Sequence, residues 1–146
     1  MTEIKIRVAQ SSDIDNLVHL DTVVLRDPVR ADSIRRWVES GECYLAQQAE
    51  QIVGYGVFNY EFFHLGNVDM LMIHPDFRGQ GIGRKLLHHL YSLCKTEKFW
   101  CTTNLSNQRM QRLLASEGFK FSGFVGDLDE GDPELIFIKR LERSAR

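Results

Sequence analysis

Arg78-Gly79-Gln80-Gly81-Ile82-Gly83 places a cation beside three alternating glycines. Glycine accepts positive φ and leaves the backbone N–H groups uncovered, so a bulky anion can reach them. A helical pattern follows at once: Ile82, Leu86, Leu87, Leu90, Leu93 and Cys94 predict a helix over 81–96. N–H groups at a helix start, together with the helix dipole, suit a phosphate. The chemistry this spacing could serve is the holding of a phosphorylated ligand; a glycine-rich turn with no ligand is the plain alternative. Two familiar phosphate loops do not fit. No Lys-Ser or Lys-Thr follows the last glycine, which excludes a Walker loop. The spacing is G-x-G-x-G and not G-x-G-x-x-G, and the strand before it does not open a βαβ unit, which disfavours a dinucleotide fold.

The elements that must position this loop can be read from periodicity. Ile4, Ile6 and Val8 alternate with Lys5 and Arg7 as a half-buried strand. Ser12 with Asp15 resembles a capping box before Ile14, Leu17, Val18 and Leu25 at helical spacing. Asp27-Pro28 opens a second helix that turns Ile34, Trp37 and Val38 inward and stops near Gly41. A hairpin follows, with strands over 43–46 and 52–59 and a turn over 48–51. A strand over 66–73 leads to the glycine loop and the long helix. Then come a short buried strand over 99–103, a helix carrying Met110, Leu113 and Leu114 that ends at Gly118, and strands over 119–125 and 135–139. The order predicts an α/β fold whose sheet neighbours come mainly from hairpins.

At roughly 150 residues per domain, 146 residues predict a single domain over 1–146, and no linker, repeat or low-complexity tract divides it. No apolar run approaches the roughly 20 residues of a membrane span. Met1, Thr2, Glu3, Ile4 and Lys5 carry no apolar export core. A net charge of −2 disfavours a nucleic-acid partner, because phosphate-driven binding needs a basic face. Cys43, Cys94 and Cys101 are odd in number and widely spaced, and read as reduced, buried thiols of a cytoplasmic protein.

The stretch from Met72-Ile73-His74-Pro75-Asp76-Phe77 through the loop to Gly83 closely resembles the central signature of the GNAT superfamily of N-acetyltransferases. Gln51-Ile52-Val53-Gly54 resembles the family's third-strand entry. Asn107, Leu113 and Gly118-Phe119 resemble its fourth helix and the strand after it, and the element order matches along nearly the whole chain. The resemblance implies the GNAT acyl-CoA N-acyltransferase fold: a twisted, mixed, mostly antiparallel sheet of about seven strands flanked by about four helices. It implies acetyl-CoA as co-substrate, with no metal. The pyrophosphate would lie on the N–H groups of Gly79, Gln80, Gly81, Ile82 and Gly83, beside Arg78 and Arg84. The pantetheine arm would pair with the backbone of Leu71, Met72 and Ile73, where that strand splays from the one over 99–103. Asn104 or Asn107 would hydrogen-bond the arm. The acetyl group would pass directly to a primary amine of a small molecule or peptide. Homodimers are common in the family.

That reaction sets further demands. A lysine-like amine has a pKa of about 10.4 in water and must lose a proton before it attacks. The thioester oxygen gains charge and needs a backbone donor near Ile73. The tyrosine that usually protonates the departing thiol falls at Leu114, and that helix carries no tyrosine; a thiolate with a pKa near 8.5 leaves tolerably without it. The family's occasional glutamate on the strand before the loop falls near Asn67. Asp69, on the same side of a regular strand, is the candidate base, with Glu61 and His64 behind it. The missing tyrosine also fits a non-catalytic module that binds acyl-CoA and regulates a partner.

The remaining features have bland readings beside sharp ones. Asp127, Asp129, Glu130 and Asp132 could draw in a cationic amine or form a solvated turn. Tyr60-Glu61-Phe62-Phe63 forms an aromatic cluster in a connection, lining an acceptor pocket or capping the core. Arg26, Arg30, Arg35 and Arg36 read as exposed helix charges. His88 and His89 point about 100° apart on a helix and do not form a metal pair. Cys101 reads as a core residue.

Overall fold

The computed structural model describes residues 3–142. Met1 and Thr2, part of the leader reading, lie outside the described residues, as do residues 143–146 of the predicted domain. The elements run β1 (Ile4–Val8), α1 (Ile14–Leu20), α2 (Val29–Glu39), β2 (Cys43–Gln48), β3 (Gln51–Phe62), β4 (Leu65–Ile73), α3 (Ile82–Leu93), β5 (Lys98–Asn104), α4 (Gln108–Ser116), β6 (Lys120–Val125) and β7 (Glu134–Arg140). Seven strands form one sheet in the order β1-β2-β3-β4-β5-β7-β6. The β4–β5 ladder is parallel; β1–β2, β2–β3, β5–β7 and β6–β7 are antiparallel. The mixed sheet with four helices is the expected fold class.

The chain forms two compact units, and β3 and β4 pass from one to the other. The first comprises the chain up to Phe58 together with Met70–His89. Its sheet is packed on both faces. Leu17, Leu20, Ile34 and Val38 of α1 and α2 pack with Cys43, Leu45, Tyr55 and Val57, and Met70 and Met72 join them. Ile82 and Leu86 of α3 pack with Ala46 and Val53, joined by Leu71 and Ile73. Strict alternation would put Val53 and Tyr55 on one face. The register jumps from Ala46 opposite Gly54 to Gln47 opposite Ile52, so Val53 is the extra residue of a β-bulge. The bulge sends Val53 toward α3 and leaves Tyr55 facing α1 and α2.

The second unit comprises Asn59–Asp69 and the chain from Leu90 onward. Phe99 is fully buried, with Tyr91 edge-on at 5.0 Å and Phe119 at 6.0 Å between ring centroids. Lys139 lies 5.1 Å from the Tyr91 centroid and donates to the Glu117 carbonyl, closing the end of α4. Asn107 caps the start of α4 by accepting from the Met110 N–H at 3.2 Å.

Several local expectations are corrected. The capping box belongs to Gln10 and Asp13, ahead of a 3-10 turn at Ser11–Asp13, and not to Ser12 and Asp15. Asp13 is the better anchor because Arg7 donates to both of its carboxylate oxygens, at 2.8 and 2.9 Å. Leu25 is not on α1; it lies in the connection to α2, 98% exposed. The hairpin turn is Ala49-Glu50, with Ala49 at φ 52°, tighter than the expected four residues. Tyr60, Glu61 and Phe62 are strand residues of β3 and not a connection. The turn to β4 is Phe63-His64, with both residues at positive φ (55° and 60°). Such a two-residue turn normally recruits Asn and Gly, so the aromatic pair masked it.

Candidate functional site

The glycine loop is built by β4 and α3, both halves of which lie in the first unit where they meet it. After Ile73, His74 caps a short 3-10 turn at Pro75–Phe77 by accepting from the Asp76 N–H at 3.0 Å, and its ring stacks edge-on with Phe77 at 5.5 Å. Arg78 Nε donates to the Ile73 carbonyl at 3.2 Å, tying the loop to the strand end. Gly79 and Gly81 sit at φ 79° and 80°, where any other residue is strained. A Cβ added at either would meet nothing within 4 Å, so the loop faces open space. The Gly81 carbonyl accepts from the Lys85 N–H at 3.1 Å and opens α3. The N–H groups of the first helical turn therefore have no partner within the helix, while the Ile82 side chain is buried and Gln80, Gly81 and Arg84 are exposed. This arrangement fits a phosphate-bearing ligand.

The expected strand residues Leu71, Met72 and Ile73 alternate between the two packed faces. Their side chains are committed to the core, so what this segment can offer a ligand is its backbone. The β4–β5 ladder pairs Gly66, Asn67 and Val68 with Phe99, Trp100 and Cys101; residues 71–73 lie outside that register. Gly54 of β3 is the close approach that seats the segment. A Cβ there would lie 2.8 Å from Ile73 Cδ1 and 3.0 Å from the Met72 carbonyl oxygen.

The structure brings Arg78, Gly79, Gln80, Gly81, Ile82, Gly83 and Arg84 together with Leu71, Met72 and Ile73 in the first unit. Asp69, Asn104 and Asn107 belong to the second. Asp69 is exposed and accepts from Asn59 Nδ2 at 3.4 Å. Asn104 Nδ2 donates to Asp129 at 3.0 Å, and the Asn107 side chain is the α4 cap. Of the acidic connection, Asp129 and Asp132 are therefore engaged locally, Asp132 by the Ser106 N–H and hydroxyl. Leu114, at the position of the absent tyrosine, is fully buried. Glu61 lies on β3, and His64 is exposed at the hairpin tip.

One group differs from its sequence expectation. Arg30 is not an exposed helix charge: its side chain is 16% exposed and donates to the fully buried Asp21 carboxylate at 2.9 Å. Tyr55 donates to the same carboxylate at 2.5 Å, and the Val23 N–H donates to it at 2.7 Å. Arg30 also approaches Met70 Sδ, and Thr22 approaches Met72 Sδ, each at 3.7 Å, so this hub lies against β4 ahead of the loop. Burial, then the bond to Asp21, pushes the Tyr55 hydroxyl far above its ordinary range. Burial lowers the pKa of the Arg30 guanidinium, and Asp21 with Tyr55 more than offsets it, so the pKa is raised. The signal available in sequence was a tyrosine between two glycines, Gly54 and Gly56, with no register to pair it with Asp21.

The comparisons with known proteins now decide the family. The Acetyltransferase (GNAT) family profile matches residues 12–119, which include the β4–loop–α3 segment just described. The chain belongs to the GNAT acetyltransferase family. A crystal structure of a GNAT-family acetyltransferase from Bacillus cereus ATCC 10987 is 31% identical, with a TM-score of 0.88 over 97% of this chain and 99% of that one. YncA of Salmonella typhimurium, solved with its cofactor acetyl-CoA, is 20% identical and shares the fold, with a TM-score of 0.79 over 98% and 96%. The peptidyl-lysine N-acetyltransferase YjaB of Salmonella typhimurium is 38% identical over 76 residues. That match spans about half of this GNAT chain and half of YjaB. None of the described helices is long and apolar enough to cross a membrane.

Proposed function

We propose that this GNAT protein is an N-acetyltransferase that moves an acetyl group from acetyl-CoA directly to a primary amine. The observation that carries the reading is the pair Gly79 and Gly81, at positive φ and facing open space at the start of α3. The pyrophosphate of acetyl-CoA is assigned to the N–H groups of residues 79–83, with Arg78 and Arg84 supplying charge. The pantetheine arm is assigned to the backbone of residues 71–73. The polar amides of Asn104 and Asn107 are the candidates for further hydrogen bonds to it, although both already serve local bonds. A family relative named for peptidyl-lysine favours a lysine side chain of a peptide over a small amine as acceptor. The net charge of −2 gives no electrostatic drive toward a nucleic acid or an anionic membrane, and the three buried free thiols fit the cytoplasm.

The chemistry asks this chain to do three things. Asp69 takes the proton from the ammonium, directly or through water, so that the nitrogen lone pair attacks the thioester carbon. A backbone N–H near Ile73 holds the carbonyl oxygen as charge develops on it. As the C–S bond breaks, the nitrogen gives its second proton to solvent and the amide remains on the acceptor; CoA leaves as thiolate and, with Leu114 at the usual acid position, takes its proton from solvent.

Calorimetric titration with acetyl-CoA, of the wild type beside Gly81→Glu, tests the cofactor half. Micromolar binding that the carboxylate abolishes supports it. No binding by folded wild type ends the acetyl-CoA reading. Thiol release with a library of amines and lysine peptides tests the transfer half, with Asp69→Asn lowering kcat by roughly 10²–10⁴ and leaving acetyl-CoA affinity unchanged. Binding without turnover on any acceptor would favour a regulatory acyl-CoA-binding module, the reading that the buried Leu114 leaves in second place.

A further inference from the structure

The acidic connection between β6 and β7 is more than a solvated turn. Within the second unit it folds back onto the end of β5. The Leu105 N–H donates to the Pro133 carbonyl at 2.9 Å. Asp132 accepts from the Ser106 N–H at 2.9 Å and from the Ser106 hydroxyl at 2.6 Å. The Asp132 N–H donates in turn to the Asp129 carbonyl at 3.1 Å. These bonds leave the Asp129 carboxylate to meet Asn104, whose Nδ2 donates to it at 3.0 Å. Asn104 ends β5 on the face of the half-buried Trp100 and Thr102. Its backbone carbonyl is fixed by the Asn107 N–H at 3.0 Å and Gln111 Nε2 at 3.3 Å. Only the rotation of its side chain is left to set.

A carboxamide donates from its nitrogen and accepts at its oxygen, and a half-turn exchanges the two. A carboxylate can only accept. Asp129 therefore compels the Asn104 nitrogen to face it, and Asn104 Oδ1 is left without a partner among the described residues. We propose that Asp129 is a positioning residue for the cofactor: it holds the Asn104 carboxamide so that Oδ1 accepts from an amide N–H of the pantetheine arm. The inference rests on the reading of Asn104 as a contact of acetyl-CoA. It adds the direction of that hydrogen bond and the residue that sets it. Without Asp129 the carboxamide can turn, and in its other orientation it sets an N–H against the N–H of the ligand. Asp132 and Ser106 serve the same end one step removed, because they hold the backbone that carries Asp129. Release of one such neutral hydrogen bond should weaken affinity about two- to tenfold.

Calorimetric titration of the full chain with two ligands tests this: acetyl-CoA, and 3′-phospho-ADP, which keeps the pyrophosphate and lacks the arm. Asp129→Asn can present either a donor or an acceptor to Asn104 and so no longer selects its orientation. It should weaken acetyl-CoA about two- to tenfold and leave 3′-phospho-ADP unchanged. Asn104→Ala should lose affinity for acetyl-CoA to a similar extent, and adding Asp129→Asn to it should lose nothing more, because Asp129 acts through Asn104. Asp129 is exposed and the bonds of Leu105 and Ser106 do not involve its side chain, so circular dichroism should match wild type. Asn104→Ala keeps the test open if Asp129→Asn does not fold. An unchanged acetyl-CoA affinity in either folded single variant, an equal loss for the ligand without the arm, or additive losses in the double variant would each overturn the proposal and leave the acetyl-CoA reading standing. A folded wild type that binds neither ligand would end both.

Discussion

Replacing Tyr55 by Phe removes one hydroxyl from the centre of the first unit and opens no cavity, so its cost isolates a single hydrogen bond. The Tyr55 side chain is fully buried, and its O–H lies 2.5 Å from an Asp21 oxygen, within the short range of hydroxyl–carboxylate bonds. The carboxylate keeps Arg30 at 2.9 Å and the Val23 N–H at 2.7 Å, so it is not orphaned. A hydrogen bond to a charged group contributes about 1.5–3 kcal/mol net. At roughly 2–4 °C per kcal/mol for a chain of this size, Tm should drop by about 3–12 °C. Asp21→Asn should cost more, about 3–5 kcal/mol, because it leaves the largely buried Arg30 guanidinium without its counter-charge. The double variant should fall short of the sum, since both changes act on the same carboxylate. Urea unfolding of the four proteins, with m-values compared, measures all three quantities. A Tyr55→Phe midpoint within about 0.5 kcal/mol of wild type, or strictly additive losses, would refute the idea that Asp21 is the hub holding residues 21–28 to the sheet.

Gly54→Ala should push against the Met72 carbonyl as well as the mobile end of Ile73, costing about 1–3 kcal/mol; if residues 71–73 bind the pantetheine arm, acetyl-CoA affinity falls about tenfold by calorimetry, and an unchanged Kd would argue against that placement. Burial holds the Cys43 and Cys101 thiols up to about 12 from an ordinary 9.0. The unfolded chain loses these protons first as pH rises past 9, so stability, unaffected below that value, should fall by about 1.4 kcal/mol per pH unit for each thiol toward 12, as read by urea melts across that range. His64→Gly should raise stability by about 0.4–1 kcal/mol, because it relieves a positive φ of 60° at an exposed turn; a loss of stability in a thermal melt would mean that the aromatic turn is held by contacts that outweigh its strain.

What could be read in the sequence was what a local rule fixes. The loop at residues 78–83 is legible because Gly79 and Gly81 need positive φ and because an uninterrupted apolar stripe begins at Ile82. The long helix, the Asn107 region and the two closing strands follow from periodicity in the same way. Partners distant in the chain were not legible. Arg30 carries no mark that separates it from Arg35, yet Arg35 is half-exposed beside Asp32 while Arg30 is buried on Asp21. The difference is Asp21, which holds Arg30 together with Tyr55, and the bulge at Val53 hides which face Tyr55 takes, since no periodicity rule places a bulge whose extra residue is as apolar as its neighbours. The same holds at β6, where Phe121 and Phe124 read as opposite faces until the shifted register aligns them. The two bulges thus do comparable things in the β2–β3 and β6–β7 ladders. Each breaks a two-residue period: one puts Val53 and Tyr55 on opposite faces of the sheet, the other puts Phe121 and Phe124 on one face. The family signature names the loop that holds the ligand; these departures from regular strand geometry are where this chain becomes an individual member, and they can be found only once register is known.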